Sequence, residues 1–187
     1  AAPPFPGRRA ARGRPPAEAP RAVCDLAAII GQAVELVGPQ CRHAGTTLTW
    51  EPPTARCEVL GDAVQLGHLF GNLIGNAAEA AGPGGGVTVT LGAATGRERS
   101  GAVVEVSDTG PGPSADVADR LFEAFVTGKE QGIGLGLAVA KQAADAHGGA
   151  ITWERRAGRT VFRVTLPEDV TQSRQAAEKK EEQGRRE

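Results

Sequence analysis

Gln131–Gly149 reads QGIGLGLAVAKQAADAHGG. Gly132, Gly134 and Gly136 alternate, the apolar residues Leu135, Leu137, Ala138, Val139 and Ala140 run through and past them, and His147-Gly148-Gly149 closes the stretch. The pattern predicts a glycine-rich loop that turns into a helix. Such a loop gathers backbone N–H groups at the positive end of a helix dipole, which suits a phosphate. Taken alone, the same residues also fit a plain loop before a core helix. The rest of the chain must supply what a nucleotide needs.

The 187 residues suffice for one domain. Hydrophobic residues make up 40%, enough for a core. No apolar run approaches the ~20 residues of a membrane span, so a soluble domain is expected. A formal net charge of -1 gives no bulk attraction to nucleic acid or anionic lipid, and no nucleic-acid partner is expected. Cys24, Cys41 and Cys57 form no CxxC pair, and His43, His68 and His147 lack metal-ligand spacing. Free thiols in a reducing, cytoplasmic setting follow. Methionine is absent and the first residue is Ala1, so a segment of a longer protein is expected.

Three regions are expected. Residues 1–21 are Pro/Arg-rich and read as a disordered linker, residues 22–167 as one domain, and residues 168–187 as a charged tail or linker. Within the domain, Asp25 caps a helix whose apolar positions are Leu26, Ile29, Ile30, Ala33, Val34 and Val37. Gly38-Pro39 either bends or ends it, a further turn reaching His43. Thr46–Glu51 and Cys57–Leu60 read as strands. Asp62 caps a second helix to about Ala81, with Leu66, Leu69, Phe70, Leu73, Ala77 and Ala81 on one face. Gln65, His68, Asn72, Asn76 and Glu79 share another face. Gly67, Gly71 and Gly75 lie inside this helix at ~1 kcal/mol each against Ala, which calls for close packing there or leaves the helix weak. Val87–Leu91 and Ala102–Ser107 alternate as strands, Ser114 caps a short helix through Leu121, and Ala150–Glu154 and Thr160–Leu166 form a hairpin around Ala157-Gly158. The fold class is α/β: a two-layer sandwich with one mixed, mostly antiparallel sheet and three main helices on one face.

Four segments carry chemistry. Asn72 and Asn76 stand one turn apart on a polar face; an amide oxygen is a hard ligand that suits Mg²⁺, although a solvated face would look the same. Asp108 ends a strand before Gly110 and Gly112. Its carboxylate can accept from an exocyclic amine while the glycines admit a flat ring; a simple Asp-Gly turn is the alternative. Gly110-x-Gly112-x-x-Ala115 formally matches a dinucleotide fingerprint. Pro111 and Pro113 remove donors where a pyrophosphate would sit, and no repeated βαβ unit follows, so that reading is rejected. Phe122 and Phe125 read as core anchors, and Lys129 as a surface lysine or a point charge for phosphates.

In order, these segments resemble the N, G1, F and G2 boxes of the GHKL (gyrase, Hsp90, histidine kinase, MutL) ATP-binding fold. Asn72–Ala80 (NLIGNAAEA) is similar to the N box of sensor histidine kinases, Asp108–Gly112 (DTGPG) to G1, Leu121–Lys129 (LFEAFVTGK) to the F box and Gly132–Leu137 (GIGLGL) to G2. The resemblance spans about Ala22 to Pro167. It implies a Bergerat fold that binds ATP and Mg²⁺. Asn76 would hold the metal and Asn72 would assist at the metal and phosphates. Asp108 would take the adenine amine, Gly110 and Gly112 would make room for the base, and Gly132, Gly134, Gly136 and Leu137 would wrap the phosphates. Lys129 would neutralise charge, with Asn72, in catalysis, and residues 113–131 would form the ATP lid.

A histidine kinase also needs a phosphoacceptor histidine, with an acidic residue beside it and a proline beyond. His43, His68 and His147 lack that setting. The acceptor is therefore expected on a dimerisation domain outside this chain, which would also carry any homodimer contact. A response regulator would be the downstream partner, and the parent protein could be membrane-anchored. Ala124 stands where a Pro is common in the family. The alternatives are a stand-alone GHKL regulator such as an anti-sigma-type serine kinase, or a non-catalytic ATP- or partner-binding module. A gyrase-type hydrolase would place Glu where Asn72 stands.

Overall fold

The computed structural model describes residues 21–54, 56–93, 101–127 and 134–167. Residues 1–20, all but the last of the expected linker, Lys129, Gly132 and the expected tail of residues 168–187 lie outside the described residues. The order is β1 (Ala22–Asp25), α1 (Leu26–Ala44), β2 (Thr47–Trp50), β3 (Glu58–Gly61), α2 (Ala63–Ala81), β4 (Gly86–Ala93), β5 (Gly101–Asp108), α3 (Ala115–Ala118), α4 (Gly136–Ala146), β6 (Ala150–Arg156) and β7 (Arg159–Pro167).

Helix α1 starts where Asp25 Oδ1 accepts from the Ala27 and Ala28 backbone N–H groups at 2.9 and 3.4 Å. It passes through Pro39 and ends at Gly45, whose φ is 71°. Gly38 lacks the Cβ that would meet the proline ring, and Cys41 continues the buried stripe beyond it. Packing thus outweighs the one backbone donor that Pro39 removes. Helix α2 is capped in the same way by Asp62, which accepts from Val64 N at 2.9 Å and Gln65 N at 3.2 Å. Its buried face is Leu66, Leu69, Phe70, Leu73, Ile74, Ala77 and Ala78.

Five strands form one sheet in the order β2-β4-β5-β7-β6. Only β2 and β4 are parallel, because α2 lies in the connection between them. The β4/β5 and β6/β7 pairs are antiparallel neighbours, as their short connections require. Ala157 (φ 50°) and Gly158 (φ 77°) make the two-residue turn of the latter. One face of the sheet carries Val87, Val89, Val104, Val106, Phe162 and Val164 into a core shared with α1, α2 and α4. Each fully buried aliphatic chain contributes ~1.5–3 kcal/mol. The other face is polar, with Glu105 clasped by Arg156 at 2.7 Å and Arg163 at 2.9 Å.

Three local expectations are corrected. The strand at Glu58–Gly61 does not join the main sheet; it pairs antiparallel with β1, a strand the hydrophobic pattern does not reveal because only Cys24 in it is buried. The helix after Ser114 stops at Ala118, with no buried residue and no side-chain capping bond from Ser114. Gly67, Gly71 and Gly75 have nothing among the described residues within 4 Å of the place a Cβ would take. Burial on the opposite face of α2 holds that helix, and no close neighbour explains the glycines.

Candidate nucleotide site

The end of α2, the turn after β5, the α3 segment, the start of α4 and β7 enclose a cavity of about 730 Å³. The floor is set by strand register. Asp108 ends β5 opposite Thr160 of β7, and Thr160 in turn lies opposite Arg155 of β6. Directly paired residues share a face of a sheet, so the three side chains form one row, of which Asp108 and Thr160 line the cavity. Asp108 is 1% exposed. Burial pushes its carboxyl up; the Gly110 N–H, a hydrogen bond from the Thr160 hydroxyl and the charges of Arg155 and Arg159 pull it back. The Gly110 N–H donates to Asp108 Oδ1 at 2.8 Å. That bond folds the turn back over the strand end, so Gly110 sits against the Ala80 carbonyl of α2 with no space for a side chain. Gly112 has φ 85°, a value glycine accepts readily.

The other wall is built on α4. Gly134 has φ 71°, and a Cβ there would lie 2.8 Å from the Val126 carbonyl oxygen. The Phe125 N–H donates to the Gly134 carbonyl at 2.9 Å. The F-box segment and the glycine loop are therefore fastened backbone to backbone. Phe125 itself has φ 67° and is 73% exposed, whereas Phe122 meets Phe162 edge to face at 6.3 Å. Phe122 is the core anchor that the sequence suggests and Phe125 is not. Helix α4 opens at Gly136 behind Leu135, which has no side-chain acceptor to cap it. Its first N–H groups resemble an anion site more than the capped starts of α1 and α2 do.

A Cβ on Gly136 would lie 3.3 Å from Asn76 Nδ2 and 3.5 Å from Asn72 Oδ1. The start of α4 thus abuts both amides of the α2 polar face. Asn76, Asp108, Gly112, Gly134, Gly136 and Leu137 line the cavity; Gly110 lies just behind the lining and Asn72 one turn further along α2. Lys129 and Gly132 fall outside the described residues. Glu79, Val117, Thr160 and Phe162 also line the cavity and were not among the expected site residues. Thr160 is legible only once the β6/β7 hairpin is put in register against β5. Among the described residues no group of three or more His, Cys, Asp or Glu side chains could hold a metal ion, and no helix is long and apolar enough to cross a membrane.

The arrangement offers a buried acceptor, a slot between glycine backbones, and a helix start beside two amides. Residues 61–170 match the family described as histidine kinase-, DNA gyrase B- and HSP90-like ATPase. The sensory histidine kinase/phosphatase NtrB of Rhodobacter capsulatus is 42% identical over 125 residues, covering 62% of this chain and 34% of that protein. A mycobacterial sensor histidine kinase, MprB, has a solved structure with a TM-score of 0.65 at 28% identity, covering 79% of this chain and 97% of that one. Full-length ShkA in complex with AMPPNP gives a TM-score of 0.65 at 32% identity, covering 79% of this chain and 31% of that one. The chain spans about a third of the length of the first curated relatives, 34% for NtrB. With every residue that lines the cavity, from Asn76 to Phe162, inside the matched segment, the chain belongs to the histidine kinase-, DNA gyrase B- and HSP90-like ATPase family.

Proposed function

We propose that this chain is the ATP-binding catalytic domain of a two-component sensor histidine kinase. It would transfer the γ-phosphate of ATP to a histidine on a dimerisation domain outside residues 1–187, for relay to a response regulator. The observation that carries the reading is the juxtaposition of Asn76 and Gly136 across from the buried Asp108. One cavity then has a base end and a phosphate end. The relatives named as sensor histidine kinases, and the AMPPNP held by ShkA, support the same assignment.

In this reading Asp108 accepts from the adenine amine, and Gly110 and Gly112 leave the ring room to lie against backbone. Gly132, Gly134, Gly136 and Leu137 surround the phosphates, with the free N–H groups at the start of α4 directed at them. The residues present fit Mg²⁺: two neutral amides beside an anion site supply hard oxygen and leave the remaining positions to phosphate and water. Asn76 would hold the ion, with Asn72 beside it, and the ion would supply charge neutralisation on the phosphates. Lys129, within the expected lid segment of residues 113–131, would add a positive charge. An imidazole nitrogen of the acceptor forms the new N–P bond as the P–O bond to the β-phosphate breaks, and ADP leaves with that electron pair. The protein's part is positioning and electrostatics.

The test supplies a histidine-containing dimerisation domain and radiolabelled ATP. Acid-labile, base-stable phosphate on that domain is expected, and Asn76→Asp and Asp108→Asn should weaken ATP binding or transfer severely. Alkali-labile phosphoserine on a partner would favour the anti-sigma-type kinase instead. Wild-type nucleotide affinity in both variants would sink the site assignment.

A further inference from the structure

Arg155 lies at the exposed turn end of the β6/β7 hairpin, where an arginine is ordinarily a solvated side chain. Its neighbour behaves that way: Arg156 turns to the polar outer face and meets Glu105 and Glu154. Successive residues of a strand face opposite sides, so Arg155 turns to the cavity side, in the row with Thr160 and Asp108. There its NH1 donates to the Gly110 carbonyl at 2.8 Å and to Thr160 Oγ1 at 2.8 Å, while NH2 donates to the Gly158 carbonyl at 2.8 Å. Three acceptors from two separate segments are met by one planar fork, a geometry that a lysine ammonium does not reproduce. The stem is also seated: a Cβ at Gly112 would lie 3.0 Å from Arg155 Cδ and 3.2 Å from NH1.

We infer that Arg155 is a positioning residue for the base end of the nucleotide, tying the Gly110 turn to Thr160 and setting the direction of the Thr160 hydroxyl. The inference rests on the reading of this cavity as an ATP site. A hydroxyl has one proton. With an Arg155 N–H donating to the Thr160 oxygen, that proton is left to donate to Asp108. The Asp108 carboxylate then receives the Gly110 N–H on one side, has the Thr160 hydroxyl opposite it across the strand pair, and keeps its remaining acceptor capacity for the base. Arg155 also adds a positive charge that favours the ionised form of this buried carboxylate. It touches no reacting atom. Its effect is on which base is accepted and how tightly, with the phosphate end left as it is.

The experiment uses the 187-residue chain and its Arg155→Gln and Arg155→Lys variants, with thermal melts to establish folding. Binding of ATP, ADP and base-free tripolyphosphate is measured from pH 5 to pH 8. Arg155→Gln is expected to weaken ATP and ADP at least tenfold and leave tripolyphosphate unchanged. The pH midpoint of ATP binding should move upward, because Asp108 loses a neighbouring cation; a merely structural role would not produce that shift. Arg155→Lys, which keeps the charge and loses the fork, should weaken ATP with little change of midpoint, and it provides the measurement if Arg155→Gln does not fold. Equal loss for ATP and tripolyphosphate, or unchanged ATP binding in either variant, would overturn the inference. A wild-type chain that binds no adenine nucleotide would overturn the ATP reading itself, and this inference with it.

Discussion

His147 Nε2 accepts a hydrogen bond from the Asp62 backbone N–H at 3.0 Å, which ties the far end of α4 to the first turn of α2. On its other side, the ring nitrogen Nδ1 lies 2.7 Å from the Ala143 carbonyl, so Nδ1 carries the proton and donates. The ring is 6% exposed. The two helices that carry the proposed phosphate end are therefore pinned at the opposite end from the cavity.

His147→Ala should remove both bonds, leave Asp62 N–H without this acceptor and open a void, at a combined cost of about 2–4 kcal/mol. Gly61→Ala should also destabilise, because its Cβ would fall 2.7 Å from His147 Cδ2. The two losses share one cause. Denaturant melts of the single and double variants should therefore show a double loss smaller than the sum.

Gly110 and Gly136 should respond to a methyl group in opposite ways. At Gly110 the new Cβ meets the Ala80 backbone and lies 2.8 Å from Asp108 Oδ1, neither of which can give without moving α2 or the proposed base acceptor. Gly110→Ala should cost about 2–3 kcal/mol of stability and abolish nucleotide binding. At Gly136 the nearest atoms are the ends of the Asn76 and Asn72 side chains, at 3.3 and 3.5 Å. Those can rotate, and alanine favours helix over glycine by up to ~1 kcal/mol. Gly136→Ala should keep or raise the melting temperature while weakening Mg-ATP about tenfold, because the displaced amides no longer meet the phosphates.

Asp108 gives stability an unusual pH dependence for a carboxylate. Its folded pKa is raised, chiefly by burial. Between the ordinary carboxylate value and that raised value the folded state binds more protons than the unfolded one, so stability falls as pH rises through the window. In Asp108→Asn this downward slope should disappear: melts from pH 3 to pH 8 should show the variant gaining on the wild type as pH rises. The same variant should lose about 1–3 kcal/mol of ATP binding, roughly tenfold to hundredfold, since an amide N–H₂ faces the adenine amine.

Glu105 moves the other way. The hydrogen bond from Arg156 is the largest influence holding its carboxyl below the usual range, joined by the charges of Arg156 and Arg163. Here the unfolded state binds the extra proton. The stabilisation is present above the ordinary carboxylate value and is lost as pH falls through the depressed one. Glu105→Gln should therefore flatten the acid limb of the stability curve, at a cost of about 1 kcal/mol at pH 7, and leave nucleotide affinity unchanged.

Periodicity made most of the fold legible. Helices α1 and α2 announce themselves through Asp25 and Asp62 caps and a continuous apolar stripe, and β4, β5 and β7 through alternation. What escaped has a physical cause in each case. The β1 strand buries one side chain, which gives no pattern to read. The parallel pairing of Leu48 with Val87 joins residues far apart in the chain, and local periodicity carries no information about it. Pro39 invites a helix end that buried Cys41 overrides. At the cavity, Asn76, Asp108, Gly112, Gly134 and Gly136 could be singled out in the sequence because residue type and spacing point to a chemistry, and the structure brings them to one lining. Thr160 and Arg155 could not, because their contribution exists only through register across three strands.

The cavity draws its walls from Asn76 through Phe162, so no hairpin or helix pair of this protein can form it alone. An unfolded or half-folded chain offers nucleotide essentially nothing. Mass action then makes ligand a component of stability: at a hundredfold excess over Kd it adds about 2.7 kcal/mol. For a marginally stable domain that is a sizeable share of the total. Under the proposed function, ATP would thus act on this protein as a substrate and, through occupancy, as a conformational chaperone. Variants that spare the core but weaken binding would lose abundance along with activity.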